Sequence, residues 1–384
     1  MIKLKRTYFV LLFVFASSGY SQHSNNDSSI VFLGNPYKEI KIPWARNIWD
    51  MVVFEDHIYL AYGDYHRNIG PVHVFFLDPL TDKFIKEFTI QEEVIEKYQI
   101  FDGELYIHGV DATEGWDFGN FYRKDKRGWK KFRTVPNANH VLEMYKFKNQ
   151  LFVSIGTPSD SLPKNLISRD QGLTWDAIPI KPLPNIPIVI PEMIIQSYFI
   201  FNGNLYGATG GKMGQYNNLY FFNGSNFEIL CIEVFPGSLA EEIPCWHSTV
   251  SYQNKIIYIG QNGIEHQSNE GTVLDFQPKG IYYLDDLNTG NQLSLPVGFL
   301  PFDLNVYNCE LYILLAQRHS ETNYTIKIVS TVDLMEYHDE IEFDYNTFAR
   351  SFEIYADTFY LGMGGFESEK NCSSAGDIIK VSKN

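Results

Sequence analysis

Gly63-Asp64-Tyr65-His66-Arg67-Asn68-Ile69-Gly70-Pro71 sets a tyrosine, a histidine and an arginine side by side between glycines. An unperturbed histidine exchanges protons near neutral pH, and an arginine beside it can hold an anion. His66 and Arg67, with Tyr65 as an alternative proton carrier, therefore form the first candidate group. Asp111-Ala112-Thr113-Glu114-Gly115-Trp116-Asp117-Phe118-Gly119-Asn120 offers carboxylates beside a tryptophan. Trp116 reads either as a flat binding face or as a hydrophobic plug over its own unit. His140 in Asn137-Ala138-Asn139-His140, His247 in Cys245-Trp246-His247-Ser248 and Arg350 in Phe348-Ala349-Arg350 are further polar candidates. Each histidine also reads as a hydrogen-bonded spacer. Arg318-His319 repeats the histidine–arginine pairing.

The elements that must position these residues come from a repeat. An aromatic, three turn residues, then an aliphatic or aromatic residue and a large one recur at Phe54, Phe101, Phe147, Phe201, Tyr252, Tyr307 and Tyr355. The steps between these aromatics are 47, 46, 54, 51, 55 and 48 residues. A period near fifty signals stacked repeat units. Each copy reads as a hairpin, most clearly at Asp102-Gly103 and Asn202-Gly203, where glycine accepts the positive φ of a tight turn. Two further β-rich stretches follow each hairpin. The strongest helix candidate, 92–97, is under two turns. The expected fold is an all-β, seven-bladed β-propeller with four-stranded antiparallel blades. The last blade lacks an outer strand, and 37–42 is expected to supply it and close the ring. In such a ring the loops between second and third strands share one face with the links between blades. All the candidates except those at the inner-strand entries fall on these loops. His140, His247 and Arg350 are expected beside the central channel.

Ser168-Arg169-Asp170-Gln171-Gly172-Leu173-Thr174-Trp175 fits Ser-x-Asp-x-Gly-x-Thr-Trp and resembles the Asp box of sialidase-type propellers. The resemblance implies a structural turn for Asp170, away from the active face. Sialidases also carry an early Arg-Ile-Pro-type motif, three clustered arginines and a Tyr–Glu pair. Here Arg46 follows Ile42-Pro43-Trp44-Ala45, and only nine arginines occur. The seven-unit repeat and the export pattern described below also resemble propeller-fold ulvan lyases and related uronic-acid eliminating enzymes. That resemblance implies removal of a proton from C5 of a uronate and expulsion of the oxygen on C4. It implies Arg67 for the carboxylate, His66 and His140 as base and acid, and Tyr65 in either role. Trp116, His247, Arg318, His319 and Arg350 are then the substrate-binding candidates. The partner would be an acidic oligosaccharide or polysaccharide. A glycan- or protein-binding propeller without chemistry is the alternative, and a sialidase-like hydrolase the third reading.

Residues 1–21 have a basic start and an apolar run from Tyr8 to Ala16, as a secretory signal does. Residues 22–36 read as a loose leader and 37–384 as the propeller. The expected location is the periplasm or the exterior, with no transmembrane segment. The formal net charge is −15, and loss of Lys3, Lys5 and Arg6 takes it to −18. Such a charge disfavours nucleic acid as a partner, since phosphate binding needs a basic surface. No linker divides the chain, and a monomer is expected. The four cysteines, Cys231, Cys245, Cys309 and Cys372, allow a disulfide in an exported protein. No zinc motif and no cofactor motif occurs; a structural calcium is not legible. Two linkers, 181–192 with four prolines and 235–244 with Glu241 and Glu242, are expected to wall a cleft.

Overall fold

The computed structural model describes residues 30–64, 67–158, 164–181, 194–209, 218–232, 245–268, 271–287, 290–366 and 372–382; at 209, 218, 231–232, 245–247 and 262–276 it describes backbone alone. Tyr65, His66, the expected signal at 1–21 and nearly all of both linkers lie outside these residues. The chain is an all-β, seven-bladed propeller. Among the described residues helical backbone is limited to the 3₁₀ turn Trp44–Arg46 and to Arg67. No described helix is long and apolar enough to cross a membrane.

Blade 1 is Met51–Phe54, His57–Leu60, His73–Asp78 and Lys83–Thr89. Blade 2 is Tyr98–Phe101, Glu104–His108, Phe118–Asp125 and Gly128–Pro136. Blade 3 begins with His140–Phe147, blade 4 with Ser197–Phe201, blade 5 with Cys245–Tyr252, blade 6 with Leu300–Tyr307 and blade 7 with Ala349–Tyr355. Blade 4 gains a fifth strand, Ile180–Lys181, parallel to Phe227–Ile232. Every lead aromatic of the repeat is the last residue of its inner strand. Each turn after it has positive φ at both central residues, from Glu55 and Asp56 to Ala356 and Asp357. That is the geometry whose twist matches the flanking strands.

The two residues after each turn explain the stacking. Neighbours along a strand point to opposite faces, so each copy fills both flanking blade interfaces. Tyr59 packs in one cluster with Leu105, Tyr106 with Leu151, and Phe152 with Leu205. Tyr206 joins Ile256, Ile257 joins Leu311, and Tyr312 joins Phe359. Tyr360 of blade 7 shares a cluster with Ile58 of blade 1, so the pattern is circular.

The expected outer strand of blade 7 is corrected. Ile30–Gly34, within the expected leader, pairs antiparallel with Ile378–Ser382. Residues 37–42 instead make a turn, with Ile40 N–H donating to Tyr37 O at 2.9 Å. Tyr37 is buried and stacks on Tyr62, with ring centroids 3.8 Å apart. Asn35 secures the turn: its side chain donates to Ala375 O and Asp377 Oδ1 and accepts from Tyr37 N.

The turn at Ser168–Trp175 lies between blade 3's third and fourth strands, on the face of the short hairpin turns. Asp170 accepts from Leu173 N and Thr174 N, at 3.1 and 2.9 Å, and from Thr174 Oγ1. Gly172 has φ +89°, and a Cβ there would meet Phe121 at 2.3 Å. These bonds hold Asp170 well below the usual carboxylate range, at about 2.

Candidate functional site

The segment that leaves blade 1 and enters blade 2 runs between two upper-face loops. Val72 N donates to Glu92 O at 3.0 Å and Asp64 N to Glu93 O at 3.1 Å, binding it to blade 1's loop. Glu93 N donates to Asp111 O at 2.9 Å and Thr113 N to Gln91 O at 3.0 Å, binding it to blade 2's loop. Blade 3 joins through Val141 N, which donates to Gly109 O at 2.7 Å. Groups from three blades meet along this seam.

His140 opens blade 3's inner strand. Its Nδ1–H donates to Val110 O. A carbonyl only accepts, so this bond fixes the proton on Nδ1 and leaves the Nε2 lone pair available. Asp111 Oδ1 lies 3.9 Å from Nδ1. Arg67 Nη1 donates to Asp64 Oδ2 at 2.9 Å. Glu93 lies between the ends of this line: Gly70 N–H donates to its Oε2. Burial, then the negative charges of Asp111 and Asp64, raise its carboxyl pKa against that bond.

Glu92 is fully buried beneath the same loops. Its Oε1 accepts from Asn120 Nδ2 at 2.6 Å and Tyr122 Oη at 2.9 Å. Its Oε2 has no hydrogen-bond partner. A Cβ at Gly109 would meet that oxygen at 2.8 Å, so glycine is required over it. Burial raises Glu92 to about 7; the Asn120 and Tyr122 bonds and Lys131 oppose the rise, and Asp111 adds to it.

The structure therefore brings Arg67 and His140 onto one seam. Tyr65 and His66 lie outside the described residues, as does the His247 side chain. Arg318 and His319 sit on blade 6 and bond within their own hairpin, to Ser320 O and Thr325 Oγ1. Trp116 is 55% exposed. Arg350 corrects the expectation of a group open to substrate. It is only 6% exposed, its Nε donates to Asn47 Oδ1, and its guanidinium lies 4.5 Å from the Trp49 ring centroid, 5.1 Å from that of Phe348 and 5.5 Å from that of Trp44. It joins blade 7 to the entry of blade 1. Cys309 is an exposed free thiol in blade 6's hairpin turn; the side chains of Cys231 and Cys245 lie outside the described residues. Among the described residues no cluster of three or more His, Cys, Asp or Glu side chains could hold a metal ion.

Sequence reasoning missed Glu92 and Glu93. Their signal was present: two adjacent acids stand among Ile90, Val94 and Ile95, in a link too short for the helix they suggested.

No protein-family profile matches the chain, and no curated protein matches it. Among solved structures it is similar to a chain of the mitotic checkpoint complex, at 9% identity, covering 99% of each chain with a TM-score of 0.51. The shared property is the fold. A PL25 ulvan lyase is similar at 11% identity, with 86% of this chain and 90% of that one covered and a TM-score of 0.49. The phage phi92 endosialidase is similar at 10% identity, covering 92% of this chain and 68% of that one, with a TM-score of 0.44. A shared fold does not fix function, which lies in the chemistry of the seam.

Proposed function

We propose that the protein is an exported carbohydrate-active enzyme that performs β-elimination on a uronic-acid-containing oligosaccharide at the seam of blades 1, 2 and 3. The observation that carries this reading is the His140 tautomer: Nδ1–H is committed to Val110 O, and Nε2 is left as a base on the loop-bearing face. His140 Nε2 takes the C5 proton. The released electron pair forms the C4–C5 double bond as the C4–O bond breaks. The departing oxygen takes its proton from blade 1's loop, for which Tyr65 and His66 have the right chemistry. Arg67 receives the uronate carboxylate, sharing its guanidinium with Asp64. The sialidase reading loses support because two further arginines are committed apart from Arg67: Arg350 is enclosed by rings and Arg133 binds Glu114.

Incubation with uronate oligosaccharides tests this. The expected product is an unsaturated uronate, read as a rise in ultraviolet absorbance. His140→Ala should slow that rise about 10²–10⁴-fold, the usual contribution of a positioned acid or base. New reducing ends without absorbance would indicate hydrolysis. Binding without either product would favour the non-catalytic propeller.

A further inference from the structure

Blade 2's loop holds a large ring in water on a backbone that is pinned on both sides. Before Trp116, Thr113 donates through N and Oγ1 to Gln91, at 3.0 and 3.1 Å. Lys131 and Arg133 both bind the Glu114 carboxylate, Arg133 Nη1 at 3.2 Å. They hold it below the usual carboxylate range, Lys131 contributing most. Arg133 Nη2 also donates to Gly115 O. After Trp116, Asn137 N donates to Asp117 O at 3.0 Å. Lys131 and Arg133 stand two apart on one strand and so share a sheet face. Trp116 is nonetheless 55% exposed, and Phe118, two residues on, is 44% exposed.

A ring that merely plugged the blade would be buried. Two exposed aromatics, one on a fixed loop and one at the first residue of the strand it enters, are instead a preorganised contact face. Its position is tied to the seam where Thr113 N donates to Gln91 O, one residue before Glu92. Asn120 makes the same link, donating to Glu92 while accepting from Arg133 Nη1 at 3.5 Å.

We infer that this lip is an accessory sugar subsite. Trp116 stacks on a pyranose several units along the chain from the reacting uronate, and the Lys131–Glu114–Arg133 group presents donors and acceptors to its hydroxyls. The enzyme therefore takes oligosaccharides and binds longer ones better. This rests on the proposed reaction for its substrate class, but not for its readout. Lys131 and Arg133 act as positioning residues for the lip.

The test is a binding titration with uronate di-, tetra- and hexasaccharides, with a neutral cello-oligosaccharide series alongside, using the full mature chain. Affinity should rise with uronate length. Trp116→Ala should remove that gain, weakening the hexasaccharide roughly ten-fold while barely changing the disaccharide, as expected for loss of one aromatic anchor. Trp116→Phe should restore most of it. A wild-type affinity independent of length, no binding of any series, or a Trp116→Ala variant that keeps the gain would each overturn the subsite. His140→Ala separates the two claims: it should bind like the wild type while losing turnover. Length-dependent binding through Trp116 with no elimination would sink the reaction and leave the subsite standing. Turnover with a length-independent KM would do the reverse. Tighter binding of the neutral series would overturn the acidic ligand class.

Discussion

His140 and Arg350 show why side-chain type predicts chemistry unevenly. Both stand at the entries to inner strands. His140 keeps about a third of its side chain accessible, at 31%, and leaves Nε2 uncommitted. Arg350 is enclosed by Trp44, Trp49 and Phe348. Sequence shows that an arginine stands at the start of an inner strand, but it cannot show that the link at 44–49 folds over it from the other end of the chain. Arg350→Ala should therefore destabilise the fold by about 3 kcal/mol, through lost cation–π and buried polar contacts. Denaturant unfolding should show this loss, while activity per folded molecule stays at the wild-type value. Glu92 gives a second residue-scale outcome. Its folded pKa of about 7 lies above its ordinary 4.5, so its protonated form stabilises the fold and that stabilisation fades as pH rises. Glu92→Gln, a neutral isostere, should flatten this part of the stability–pH curve, measured by urea unfolding at pH 5.5 and 8.

The hairpins were legible as elements because their turn chemistry is local. Asp102-Gly103 and Asn202-Gly203 announce positive φ, and the other five turns repeat the geometry without glycine. Ala356 is the least suited of these residues, at φ +47°, because its Cβ crowds the carbonyl in the left-handed region. Ala356→Gly should stabilise the protein by roughly 0.5–1 kcal/mol, read as a rise in thermal midpoint. The N-terminal strand was not legible in the same way. Residues 37–42 end at Pro43, as an outer strand of this repeat would, but Asn35 and the Tyr37–Tyr62 stack turn the chain there. The apolar run at 30–33 satisfies the sheet edge instead. The seam was half legible for a related reason. Glycine-bounded loops marked Arg67, whereas Glu93 acts through contacts made across two blades.

At the scale of the whole ring, carboxylates tie neighbouring inner strands together around the axis. Asp50 accepts from Tyr98 N at 2.8 Å, Asp303 from Phe352 N at 3.0 Å and Glu353 from Val53 N at 3.2 Å. Gln99 Nε2 donates to Glu143 Oε1 at 2.7 Å. Burial raises Asp50 and Glu353 to about 7, Asp303 to about 6 and Glu96 to about 7. Backbone and side-chain hydrogen bonds oppose the rise at Asp50, Asp303 and Glu353. Lys97 opposes it at Asp50 and Glu96, and neighbouring acids add to it at Asp50, Glu353 and Glu96. The unfolded chain releases these protons near its ordinary carboxylate values, and the folded chain keeps them until about neutrality. Stability should therefore be fullest at mildly acid pH and fall by several kcal/mol as pH rises toward 7, levelling above it. The net charge of −15 acts in the same direction. Urea unfolding at pH 5.5 and 8 checks this; equal or greater stability at the higher pH would contradict it. The circular pairing of repeat residues, closed by Tyr360 against Ile58, makes blades 1, 2 and 3 one rigid support for the seam. The most direct test of that site is a crystal structure of His140→Ala with a uronate tetrasaccharide. The account predicts one uronate over the seam, its carboxylate at Arg67 and its C5 facing the space vacated by the imidazole. A sugar bound on the face of the hairpin turns, or over blades 4 to 6 alone, would contradict it.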